Sequence, residues 1–139
     1  MDIPGDWSHA EVTHEVYDKL IEKTLWEPTF VTRLPRELVP LAKRCPDDPA
    51  KVDVYELVVK GRELCPGYTE LNDPIDQRAR LEEQAAGDGS KLDEAFLSAL
   101  EHGMPPAGGL GIGVDRLVML LTASDSIRDV LLFPQMKNL

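Results

Sequence analysis

Residues 108–122 read GGLGIGVDRLVMLLT. Glycines recur at 109, 111 and 113, and apolar side chains fill 110, 112 and 114. Successive residues of a strand point to opposite faces. One face of this stretch is therefore bare backbone, and the other carries Leu110, Ile112 and Val114. Glycine weakens a strand interior unless something must approach it closely. A flat ligand lying on the bare face accounts for the pattern, although tight packing or a loop uses the same spacing. An apolar helical run over 115–122 follows, and Arg116 at its start places a fixed cation just beyond the ledge. The spacing differs from the dinucleotide fingerprint G-x-G-x-x-G, and no βαβ pattern surrounds it.

The chain has 139 residues, with 42% hydrophobic and 29% charged, which fits one globular domain over 1–139. A net charge of −10 argues against a free-standing nucleic-acid binder, whose footprint is basic. A tRNA held by another module remains compatible with it. Cys45 and Cys65 have no zinc-ligand spacing and read as reduced thiols of a cytoplasmic protein. No apolar run is long enough to span a membrane, and the opening MDIPGDWSH lacks the pattern of a signal peptide.

Upstream of the ledge, Ser8 caps a helix predicted over 9–25, with Val12, Val16, Leu20 and Ile21 as its apolar stripe. Residues 29–35 read as a strand, and three prolines between 40 and 49 punctuate an irregular connection. Val52–Val59, the turn Lys60-Gly61 and Arg62–Leu71 read as a hairpin. Asp73 and Pro74 open a helix over 73–86. A GDGSK loop leads to a helix over 92–103 with Phe96, Leu97 and Leu100 on one face, closed by Gly103. A short element over 126–135 ends the chain. Helices with hairpin-linked strands give an α+β fold, an antiparallel sheet flanked by helices.

The hairpin brings acids together. With Lys60-Gly61 as the turn, 59 pairs with 62, 58 with 63, 57 with 64 and 56 with 65. Glu56 and Glu63 then share a face as diagonal neighbours, roughly 7–8 Å apart along the backbone. Carboxylates whose tips lie about 6 Å apart repel by roughly 2–3 kcal/mol at an effective dielectric near 20. A divalent cation between them reverses the sign, and Mg²⁺ is commonly held by one or two carboxylates plus phosphate oxygens. Two solvated acids offset by Lys60 or Arg62 are the competing reading. Glu70 falls on the opposite face by strict alternation, and a bulge near Pro66-Gly67 would bring it to the face of Glu56 and Glu63.

Three segments carry a resemblance along most of the chain: EPTFVTRLPRELVPLAKR, YELVVKGRELCPGYTELNDPIDQRARLEEQ and LDEAFLSALEHGMPPAGGLGIGVDRLVMLLTASDSIRDVLLFPQMK. Together they resemble the C-terminal half of the catalytic domain of class II lysyl-tRNA synthetases, including motif 3. The resemblance implies that Glu56 and Glu63 hold Mg²⁺ on the phosphates of ATP. It implies that Glu70 receives the lysine ε-ammonium and that Tyr68 lines the lysine pocket. Arg116 would be the motif 3 arginine, catalytic and packed on the adenine near the phosphates. Gly109, Gly111 and Gly113 would form the floor under ATP and the amino acid. The implied reaction is ATP-dependent activation of lysine followed by transfer to tRNA.

The same resemblance marks departures. The family's anticodon-binding domain, motif 1 and motif 2 have no counterpart in these 139 residues. The family Asn that binds the lysine carboxylate is replaced by Pro66, Arg33-Leu34 replaces an acidic-aromatic pair, and Val39 replaces a Ser. These departures lead us to expect little turnover from this chain alone. They keep open a non-catalytic module that binds nucleotide, regulates or oligomerises. Half of a sheet domain leaves an apolar face and a strand edge to cover, so a homo-oligomer or a partner chain supplying motifs 1 and 2 is expected.

Overall fold

Lys60 and Gly61 both adopt positive φ (51° and 66°), the pair of conformations that a two-residue hairpin turn of matching twist requires. A Cβ on Gly61 would lie 3.0 Å from the backbone of Lys23, so glycine is needed there for space as well as for φ. The turn closes β4 (Val54–Val59) onto β5 (Arg62–Thr69), as the sequence predicts. The computed structural model describes residues 3–85 and 92–135. The predicted GDGSK loop lies outside the described residues.

The described residues form a four-stranded antiparallel sheet in the order β1-β4-β5-β6, where β1 is Thr29–Thr32 and β6 is Gly108–Leu110. A small second sheet pairs β2 (Arg44–Cys45) with β3 (Asp48–Val52) inside the proline-punctuated connection. Helices flank these sheets, so the α+β architecture is as expected. The first predicted strand stops at Thr32 rather than at residue 35, because Arg33 turns the chain with φ 64°. The strand predicted to run unbroken from Val52 is interrupted at Asp53, where the chain passes from β3 into β4.

The hairpin register contains the main correction. Val59 pairs with Arg62 and Val58 with Glu63, as expected, but Leu57 then pairs with Cys65 and Glu56 with Pro66. Leu64 is the extra residue of a β-bulge, two positions nearer the turn than Pro66, where the sequence places it. A bulge of one residue inverts the facing of everything beyond it. Pro66, Tyr68 and, just past the end of β5, Glu70 are thereby carried to the face of Glu56 and Glu63.

The N-terminal helix also departs from its predicted form. Ser8 caps α1 (His9–Val16) through a reciprocal pair with Glu11: the Ser8 N–H donates to Glu11 Oε2 at 2.7 Å, and the Glu11 N–H to Ser8 Oγ at 3.3 Å. The chain then widens into a π turn over Tyr17–Ile21 and tightens into a 3₁₀ turn over Glu22–Thr24. The wider turn changes the angular phase, and the tail of the predicted stripe faces solvent: Leu20 is 59% exposed and Ile21 44%. Tyr17 and Glu22 point at the sheet in their place.

Beyond the hairpin, Asp73 Oδ1 accepts the N–H groups of Ile75 (2.9 Å) and Asp76 (3.4 Å) and starts α2 (Pro74–Ala85). Gln77 and Arg80 of α2 are buried and tie down the proline-rich connection. Gln77 Nε2 donates to the Pro40 carbonyl at 3.1 Å and Arg80 Nη1 to that of Ala42 at 2.7 Å. Asp93 caps α3 (Glu94–Glu101), and Arg78 grips Glu94 with a two-pronged pair at 3.0 and 2.8 Å, joining α2 to α3. Leu97 and Leu100 are buried as predicted, but Phe96 of the same predicted face is 40% exposed. The buried cluster Ala42, Val52 and Val54, with Leu34, Val39 and Tyr68 against it, lies at the foot of the hairpin.

The glycine stretch forms regular strand only over β6, then leads into α4 (Val114–Thr122), which ends on a left-handed Ala123 (φ 55°). Residues 111–113 leave the strand but stay tethered to β5. The Gly111 N–H donates to the Pro66 carbonyl at 2.8 Å and that of Gly113 to the Leu64 carbonyl at 3.0 Å. Leu110, Ile112 and Val114 are 61%, 53% and 66% exposed, and the latter two, beyond the end of β6, border the same hollow as Glu63 and Arg116. No described helix is long and apolar enough to cross a membrane.

Candidate active site

The ledge and the acids lie on one face. Tyr68 pairs with Gly109 across β5 and β6, and partners directly opposite each other share a face. A Cβ on Gly109 would lie 2.0 Å from Glu70 Oε1, and one on Gly111 would lie 3.6 Å from Pro66 Cγ. The bare side of the ledge is therefore the side on which Glu70 lies, with Glu56 and Glu63 beyond it on the same face. Gly109 has a specific reason to lack a side chain: the Glu70 carboxylate occupies the space.

Arg116 joins the ledge to the acid pair. It projects from the first turn of α4, and its stem passes beside Gly113, where an added Cβ would lie 3.4 Å from Arg116 Cδ. The guanidinium donates to the main-chain carbonyl of Glu63 and lies 3.8 Å from Glu63 Oε1. The guanidinium is half exposed, so it also faces outward. A hollow of about 400 Å³ borders this region, lined by Glu63, Pro66, Gly111, Gly113, Asp115 and Arg116 among others. A smaller one of about 160 Å³ lies on the side of Trp26, Lys60, Arg62 and Met119.

Burial, with neighbouring negative charges adding to it, sets the electrostatics around Glu56. Burial pushes the Glu56 carboxyl above its ordinary value, and the negative charges of Glu63 and Glu22 push it further, against His14 and Tyr17. The Tyr17 hydroxyl is pushed up to about 12, first by burial and then by Glu56, Glu22 and Glu63. It is buried beside Glu56 without reaching normal hydrogen-bond geometry with any group. Such crowding favours a cation. Two carboxylates are a fitting donor set for Mg²⁺, which takes hard oxygens and completes its shell from phosphate and water. Among the described residues no group of three or more His, Cys, Asp or Glu side chains is arranged to hold a metal by itself.

Every site residue read from the sequence falls in this one region: Glu56, Glu63, Tyr68, Glu70, Gly109, Gly111, Gly113 and Arg116. Sequence reasoning missed Tyr17 and Glu22. The periodicity of residues 9–25 suits a regular helix, and nothing in it marks a π turn. Pro66 faces the ledge with its side chain and uses its carbonyl to hold Gly111, so it offers no donor toward the site.

Residues 8–137 match the family model described as tRNA synthetases class II (D, K and N). The chain is 52% identical over 144 residues to the lysine–tRNA ligase of Bacillus subtilis, covering 99% of this chain and 29% of that protein. It is 50% identical over 144 residues to that of Staphylococcus haemolyticus, with the same coverage. With that of Leuconostoc mesenteroides it shares 52% over 137 residues, covering 94% of this chain and 28% of the relative. The chain thus spans under a third of the length of the relatives it matches. On the extent of that match and the fold that carries it, the chain belongs to the class II tRNA synthetases of the D, K and N group.

Proposed function

We propose that this chain forms the Mg²⁺·ATP- and lysine-binding part of a lysyl-tRNA synthetase catalytic core, acting in the cytoplasm. Glu56 and Glu63 hold the cation on the phosphates. Mg²⁺ supplies neutralisation of phosphate charge when bound. Arg116 packs its planar guanidinium on the adenine and reaches the phosphates, a task suited to a group that is always charged and able to stack. Gly109, Gly111 and Gly113 floor the site. Tyr68 lines the lysine side chain, and Glu70 receives its ε-ammonium through a charge-assisted hydrogen bond.

The reaction is attack of the lysine carboxylate oxygen on the α-phosphorus of ATP. An oxygen–phosphorus bond forms, the bond to the β-phosphate breaks, and lysyl-adenylate and pyrophosphate result. The lysyl group then passes to the terminal ribose of tRNA. A net charge of −10 argues against tRNA contact carried by this segment. The exposed Leu110, Ile112 and Val114, beside the edge strand β6, support a further surface, from a partner chain or a second copy, closing over this one.

The observation that carries the proposal is the Leu64 bulge, which supports a shared face for Glu70, Glu56, Glu63 and the glycine ledge. Pro66 favours a second reading, a nucleotide-binding module without turnover. The family's Asn at this position orients the attacking carboxylate, and a lost transition-state donor costs roughly 10²–10³ in rate. Titration calorimetry with Mg²⁺·ATP and with lysine tests both readings. Heat of binding for each ligand is expected, and its absence at millimolar concentration rejects both. Lysine-dependent pyrophosphate exchange then separates the enzyme from the module.

A further inference from the structure

Glu63 sits where the β4–β5 ladder is broken by the extra residue Leu64. Val59 and Arg62 close the two-residue turn as a hydrogen-bonded pair, so the N–H and C=O of Glu63 in the next pair point away from β4, and unpaired backbone groups away from water are costly. Side chains of opposite charge, from two different elements, meet this need. Glu22 Oε1 accepts the Glu63 N–H at 3.0 Å, and the Arg116 guanidinium donates to the Glu63 carbonyl. Both main-chain polar groups of Glu63, the residue just before the bulge, are thus held by side chains.

Glu22 reaches this point because of the π turn before it. A regular helix through 9–25 would turn the stripe of Leu20 and Ile21 toward the sheet. The π turn Tyr17–Ile21 shifts the phase, exposes those two residues and brings Glu22 onto the hairpin. π turns concentrate at functional sites. Here the turn delivers a carboxylate to the main chain of a proposed cation ligand.

Resting on the reading that Glu56 and Glu63 hold the cation, we infer that Glu22 is a positioning residue for that pair: by accepting the Glu63 N–H it locks the Leu64 bulge in the register that aims Glu63 at the cation and brings Glu70 to the same face. Glu22 is not itself a cation ligand in this assignment. A side-chain amide keeps the accepting oxygen and loses only the charge. E22Q should therefore preserve much of what E22A destroys.

The test uses the whole chain, wild type against E22A and E22Q, with two readouts. The first is hydrogen exchange of the Glu63 amide by NMR. The second is binding of Mn²⁺ in the presence of ATP, followed by electron paramagnetic resonance. E22A is expected to speed exchange of the Glu63 amide by about tenfold or more and to weaken Mn²⁺·ATP binding by about tenfold. E22Q is expected to restore most of both. An unchanged Glu63 amide in E22A overturns the inference. So does loss of Mn²⁺·ATP binding in E22Q with the amide still protected, which would make Glu22 a ligand. If the wild-type chain binds no Mn²⁺·ATP, the proposed function fails, and the amide readout still decides the role of Glu22 in the bulge.

Discussion

The Glu70 carboxylate occupies the place a side chain on Gly109 would fill: a Cβ there would lie 2.0 Å from Glu70 Oε1. The contact is with the far end of a flexible side chain. Gly109→Ala should therefore redirect Glu70 without unfolding the sheet. Lysine affinity is expected to fall by about tenfold or more, with thermal stability little changed. Gly108→Ala is the matched control, since an added Cβ there meets nothing within 4 Å. Calorimetry with lysine on both variants checks this; equal affinities would separate Glu70 from lysine binding.

Gly67 answers to packing rather than to ligand. A Cβ there would lie 2.4 Å from Tyr55 Cζ, and Tyr55 stacks edge-on against Phe30 with ring centroids 5.5 Å apart. Gly67→Ala should displace the ring and cost about 1–3 kcal/mol, measured by urea denaturation. In a Tyr55→Ala background the cost should shrink, because the obstructing ring is gone. An undiminished cost would place the conflict elsewhere.

Much of this was legible in the sequence because it rests on local chemistry. The Lys60-Gly61 turn, the caps at Ser8 and Asp73, and the shared face of Glu56 and Glu63 follow from residue types at fixed spacing. The facing of Glu70 did not. Parity placed it on the wrong face, and only a bulge could reconcile it. The bulge lies at Leu64, a residue with no sequence mark, and the side chains that hold the neighbouring Glu63 backbone are a glutamate from a distant helix and an arginine beyond the ledge. The π turn was hidden for a similar reason. Val12, Val16, Leu20 and Ile21 satisfy a helical period, and tertiary contacts of Tyr17 and Glu22 override it.

Arg80 holds the proline-rich connection and should dominate stability away from the site. It is 4% exposed and donates to the Ala42 carbonyl at 2.7 Å and to Asp76 Oδ2 at 3.0 Å. Arg80→Ala leaves a buried carbonyl unpaired and removes one of the two arginine partners of Asp76, so a loss of about 3–5 kcal/mol is expected by chemical denaturation. A loss below about 1 kcal/mol, the level of an exposed ion pair, would contradict this.

The same cluster sets an acid dependence. Burial pulls the Asp76 carboxyl upward, but Arg80 and Arg44 outweigh it and hold it below the ordinary value of 3.8. A carboxyl depressed in the folded state stabilises the fold fully above its unfolded value and loses that contribution as pH falls through the folded one. The stability gap between wild type and Asp76→Asn should therefore be widest near neutral pH and narrow below about pH 4. Urea midpoints measured across that range check it, and a gap independent of pH would contradict it.

The most direct measurement is the Mg²⁺ dependence of ATP affinity in the wild-type chain and in the E56Q/E63Q double variant. The wild type should bind ATP about tenfold more tightly with Mg²⁺ than with a chelator, and the double variant should lose that gain while Arg116 keeps the residual, metal-independent affinity. A gain that persists without the two carboxylates, or that is absent from the wild type, would contradict a cation held by Glu56 and Glu63.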